Sequence, residues 1–153
     1  MSFRETEVTE FSIPLPRALD TRIFIRLAVH AKAVLLFLTS ASPDQSDSGA
    51  TAMGSFVYAL PDRLNSQQPL ATTLFSSESS VEFATRIARI IARRAQMPVY
   101  VTNSVSFESA GMGGTVEEEL EAFKNITEAV LDRLSQVLPD QVNSTYRGLI
   151  PRS

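Results

Sequence analysis

Two neighbouring segments restrict this chain to folds built on a sheet. From Arg22 to Ala31 the residues alternate, with Ile23, Ile25, Leu27 and Val29 on one side and Arg22, Phe24, Arg26, Ala28 and His30 on the other. Period two over that length is the pattern of a half-buried strand. After a tight turn at Ala31-Lys32 comes Val34-Leu35-Leu36-Phe37-Leu38. That run has no polar side and predicts a central strand covered on both faces. Further strands are expected at Glu10–Leu15, Met53–Ala59, Leu70–Phe75 and Val99–Val105. The segments Ser40–Thr51, Asp62–Pro69 and Ser106–Gly114, rich in polar residues and in Gly or Pro, read as loops.

Two segments change to helical spacing. The first begins at Ser79, where Ser79 and Glu82 fit a capping box. Phe83, Ile87, Ile90 and Ile91 supply its buried stripe, Ala84, Ala88 and Ala92 allow close approach, and Met97-Pro98 ends it. The second begins at Thr115, with Thr115 and Glu118 as a second capping box. Glu117, Glu118, Glu119 and Glu121 crowd its first turns, where the helix dipole favours negative charge. Its apolar seam runs through Val116, Leu120, Phe123, Thr127, Val130, Leu134 and Val137 at spacings of three and four, and Leu138-Pro139 stops it. Strands first and helices later predict an α+β fold: a single domain over residues 1–139, with a five- to six-stranded, mostly antiparallel sheet and two main helices. Residues 140–153 read as a polar, loose tail.

The 153 residues suffice for one core. With no cysteine, a disulfide scaffold, a thiolate metal site and a cysteine nucleophile are excluded. A net charge of −3 gives no global attraction to nucleic acid. No apolar run approaches the roughly 20 residues of a membrane helix, and the start shows no secretory pattern, so cytoplasm and nucleus are the expected compartments.

The sole histidine, His30, lies on the more polar side of a strand beside a turn, and no G-x-S-x-G elbow accompanies it. A surface histidine is the better reading. Gly111-Met112-Gly113-Gly114 precedes a helix but lacks the Lys-Ser/Thr of a P-loop. No catalytic, cofactor-binding or metal-binding residue is therefore assigned. Arg86, Arg89 and Arg93 fall at helical spacing on the first helix and form a basic stripe, suited either to solvent or to an acidic protein surface. The broad seam of the second helix, with Leu120, Phe123, Val130 and Leu134, offers partner contact as well as packing on the sheet. Those seven residues are the partner-binding candidates. The alternative is an enzyme subunit or small-ligand binder whose site is not legible.

Several stretches, in order, resemble proteasome assembly chaperone 4: Leu35-Leu36-Phe37-Leu38, Ala50-Thr51-Ala52-Met53, Leu70-Ala71-Thr72-Thr73-Leu74, Phe83-Ala84-Thr85-Arg86-Ile87-Ala88-Arg89, Pro98-Val99-Tyr100-Val101-Thr102-Asn103 and Glu117-Glu118-Glu119-Leu120. The resemblance spans about residues 20–135. The loops at Ser42–Ala50 and Asp62–Pro69 and the tail after Pro139 suggest a fungal-type member. The resemblance implies a non-enzymatic chaperone without cofactor. It would heterodimerise with the related proteasome assembly chaperone 3 and help build the α-ring of the 20S proteasome, engaging the region of the α5 subunit.

Overall fold

The computed structural model describes residues 6–42, 54–65, 67–77, 80–108 and 110–138. Along the chain lie β1 (Glu7–Pro14), β2 (Arg22–Val29), β3 (Val34–Ala41), β4 (Ser55–Leu60), β5 (Leu70–Phe75), α1 (Val81–Ala95), β6 (Val99–Ser104) and α2 (Val116–Val137). The six strands form one sheet in the order β1-β2-β3-β6-β4-β5. Only β3 and β6 run parallel; every other neighbouring pair is antiparallel. The expected α+β fold is thus the observed one.

The alternation of β2 is realised as read. Ile23, Ile25, Leu27 and Val29 enter the core, while Phe24 and Arg26 stay exposed on the other face. Val34, Leu36 and Leu38 of β3, Val57 and Ala59 of β4, and Val99 and Val101 of β6 join the same inner layer. Helix α1 covers it above β4, β5 and β6, and α2 reaches β1 and touches α1. Arg133 of α2 sits 5.2 Å from the centre of the Phe11 ring of β1, a cation–π contact that seats the helix on the edge strand.

Three expectations need correction. First, the described residues cover β3 on one face only: Leu35 is half-buried and Phe37 is 42% exposed. Second, α1 is capped by Ser80, whose side chain makes no capping bond, and Glu82 pairs with Arg86 instead. Ser79 lies outside the described residues. With Ser80 as the N-cap, the third helical position is Phe83, which cannot close a box, and Ser80 Oγ instead meets Ser55 Oγ at 2.6 Å. Third, the buried stripe of α2 runs through Glu118, Ala122, Ile126, Val130 and Leu134, a strict spacing of four. The expected seam is therefore rotated: Val116 and Leu120 are exposed. The 140–153 tail and the Met53 end of β4 fall outside the described residues.

A small polar cluster fixes α1 to the sheet. Ser55, Ser80 and Asn103 are all buried. Ser55 Oγ accepts from Ser77 N–H, and Asn103 donates through Nδ2 to Ser80 O and accepts at Oδ1 from Val105 N–H. The backbone passes so close here that a Cβ on Gly54 would lie 2.0 Å from Asn103 O, and Gly54 holds φ +67°.

A candidate protein-interaction surface

The outer face of the sheet carries Phe24 and Arg26 from β2, Leu35 and Phe37 from β3, Tyr100 and Thr102 from β6, and Phe56 and Tyr58 from β4. No helix of the described residues lies over them. Phe24 and Phe37 are 45% and 42% exposed, and together with Glu10, Ser12, Arg26 and Thr39 they line a depression on this face. Across β4 and β6, Tyr100 stacks between Tyr58, at 4.6 Å between ring centres, and Phe56, at 6.0 Å. Desolvation, reinforced by the neighbouring Tyr100 hydroxyl, pushes the Tyr58 phenol above its ordinary range. On the β1 side Glu10 meets Arg26 at 3.6 Å and Arg22 Nε donates to Ser12 Oγ. The face is thus an aromatic centre with a polar margin, the anatomy of a protein interface.

The helical candidates divide. Val130 and Leu134 are 1% and 0% exposed and belong to the core, so they have no surface to offer a partner. They are corrected accordingly: their spacing of four continues the inward row of Ala122 and Ile126. Phe123 is half-buried and meets the edge of Phe83 at 5.3 Å between ring centres. Leu120 is exposed at the rim of a cleft between α1 and α2, lined also by Phe83, Arg86, Phe107, Val116 and Phe123. The arginines also separate. Arg86 is engaged by Glu82 on its own helix and faces that cleft. Arg89 and Arg93 face a different cleft, between α1 and β5. The outer face also brings together Leu35, Phe56, Tyr58 and Tyr100, none of which was among the candidates read from the sequence. Their signal was present in the two-sided apolar run of β3 and in the aromatics of β4 and β6.

The chemical readings gain nothing from the geometry. His30 Nδ1 bonds Thr6 Oγ1 at 2.9 Å at the β2–β3 turn. The glycine-rich loop does form an anion cradle, but its anion is internal. Glu118, fully buried, accepts from the N–H groups of Met112, Gly114 and Thr115. Burial pushes this carboxyl up, yet the three backbone donors together with the Arg17 charge outweigh it and hold it below the usual carboxylate range. Among the described residues no three His, Cys, Asp or Glu side chains are placed to hold a metal ion.

The family described as proteasome assembly chaperone 4 matches residues 22–105, more than half of the chain, from the start of β2 to just past the end of β6. The chain belongs to the proteasome assembly chaperone 4 family. The matched segment supplies all of the outer face but its β1 margin. A role as a proteasome assembly chaperone follows from that membership. Among solved structures, the yeast structure titled "Crystal Structure of a Novel Chaperone Complex for Yeast 20S Proteasome Assembly" shares the fold, with a TM-score of 0.61 and 16% identity over 87% of this chain and 98% of that one. No curated protein matches the sequence.

Proposed function

We propose that this family member is a non-enzymatic chaperone, acting in cytoplasm and nucleus, that pairs through its outer sheet face with a related chaperone of the proteasome assembly chaperone 3 type. The pair would promote assembly of the 20S α-ring at the region of the α5 subunit. The observation that carries the pairing is β3: its sequence is apolar on both sides, while the helices of the described residues cover only one. An exposed apolar patch of this kind on a folded domain marks a contact surface, and the chaperone complex described for the yeast fold relative supports that reading. Arg86, Arg89 and Arg93 stand on the opposite layer, free of such a contact, and would face an acidic surface on the α subunits.

The test is co-expression with the chaperone 3-type partner. Phe24→Ser with Phe37→Ser should abolish the 1:1 complex while leaving the far-ultraviolet spectrum and the thermal transition of the chain close to wild type, because both rings are already part-exposed. A double variant that still pairs normally refutes the sheet face as the interface. Failure of the intact complex to bind α subunits would refute the α-ring role separately.

A further inference from the structure

The two edges of the sheet are not equivalent. The β1 edge is guarded: Glu7 and Glu10 put charge on it and Pro14 removes a donor. Such devices keep an open edge from recruiting a foreign strand. The other edge, β5, reads Leu-Ala-Thr-Thr-Leu-Phe, with no charge and no proline. Leu70, Leu74 and Phe75 are 61%, 52% and 53% exposed along it. No strand among the described residues pairs with its outer side. An unguarded, β-prone edge on a sheet whose opposite edge is guarded is an invitation to one more strand.

Charge then selects the strand. The cleft alongside β5 is lined by Gln67, Gln68, Leu70, Thr72 and, from α1, Arg89 and Arg93. Neither arginine forms a salt bridge among the described residues, in contrast to Arg86 and Arg26. The two sit one helical turn apart, so both reach toward the same side of the cleft. A second copy of this chain pairing edge to edge would bring four arginines together, which disfavours self-pairing. The tail 140–153 carries Arg147 and Arg152 against a single Asp140 and is no better matched.

We propose that the free edge of β5, with Arg89 and Arg93 beside it, is a strand-addition site for an extended acidic peptide segment of a protein partner. Main-chain hydrogen bonds along β5 would supply the affinity, and alternate acidic side chains pointing to the helix side would pair with the two guanidinium groups. The proposal rests on one part of the functional reading, that these arginines meet an acidic partner, and adds the mode of capture.

The probe is a short synthetic peptide of alternating threonine and glutamate, titrated onto the full chain in complex with its partner chaperone. Amide hydrogen exchange is the readout. Slowed exchange confined to residues 70–75, weakened about tenfold by Arg89→Glu with Arg93→Glu and lost in a peptide with prolines in place of the threonines, is the expected result. Equal binding of a threonine–lysine peptide, or binding without protection of 70–75, overturns it. So does protection of 70–75 before any peptide is added that vanishes on dilution or on removal of residues 140–153, since a second copy or the tail would then be the occupant. If the peptide arm fails while α-subunit capture still depends on Arg89 and Arg93, the strand-addition mode is wrong and the chaperone reading stands.

Discussion

Glu118 shows how one side chain can decide both a loop and a helix start. Its carboxylate closes the capping box with Thr115 and also gathers the N–H groups of Met112 and Gly114. The folded carboxyl titrates below its unfolded value of about 4.3. The folded state therefore binds this proton less readily than the unfolded chain does, and the stabilisation is fully present above about pH 5 and lost as pH falls through the lowered folded value. Glu118→Gln should unfold at lower urea than wild type at pH 7, with the gap narrowing as pH drops below about 4. Parallel midpoint-against-pH curves for the two proteins would contradict this. His30 is the counter-example. Its single side-chain bond, to Thr6, lies at the surface, and His30→Ala should change stability by no more than about 0.5 kcal/mol and leave partner binding unaltered. Loss of partner binding in a folded variant would reopen a functional role for the ring.

At the level of elements, α2 is the informative case. The seam read from the sequence shares Val130 and Leu134 with the fully buried row at spacing four, Ala122, Ile126, Val130 and Leu134, but its first members, Val116 and Leu120, lie off that row. Leu134→Ala should cost about 2–5 kcal/mol, since the void it leaves is enclosed on all sides. Leu120→Ala, at an exposed rim position, should cost within about 0.5 kcal/mol. Chemical denaturation of both variants checks the pair, and similar losses would mean the helix is rotated from the orientation described. α1 illustrates the same logic with charge. Arg86 is tied to Glu82 while Arg89 and Arg93 turn to the β5 cleft, so an apparently uniform stripe serves two places.

For the whole molecule the decisive fact is a two-layer build. One layer of helices covers one face of a six-stranded sheet, and the other face presents Phe24, Phe37, Phe56, Tyr58 and Tyr100. Burying a ring of this kind is worth about 1.5–3 kcal/mol. The isolated chain should therefore self-associate at micromolar concentration and become a defined 1:1 species on co-expression with its related partner. Analytical ultracentrifugation distinguishes the outcomes. A pure chain that sediments as a monomer indifferent to the partner would show that the aromatic face is tolerated in water.

The strands at residues 22–29 and 70–75, the capping box at Thr115, the α+β class and the resemblance to the assembly chaperones were all legible in the sequence. Each rests on a local pattern: period two, a box of fixed spacing, a characteristic order of short motifs. What stayed hidden depended on which element lies against which. Periodicity places Leu120 and Leu134 in one seam of α2, and only contact with β1 and α1 decides that Leu134 packs inward while Leu120 stays exposed. The run Val34–Leu38 demands cover on both faces, but a sequence does not say whether the second cover comes from its own chain. The helices both packed on one side of the sheet, because α1 joins β5 to β6 across β4 on that side and α2 follows beside it. That placement left the aromatic face open and β5 at the edge. Local order is written in short-range spacing. The surfaces this protein offers to others arise from long-range packing, which the spacing alone does not encode.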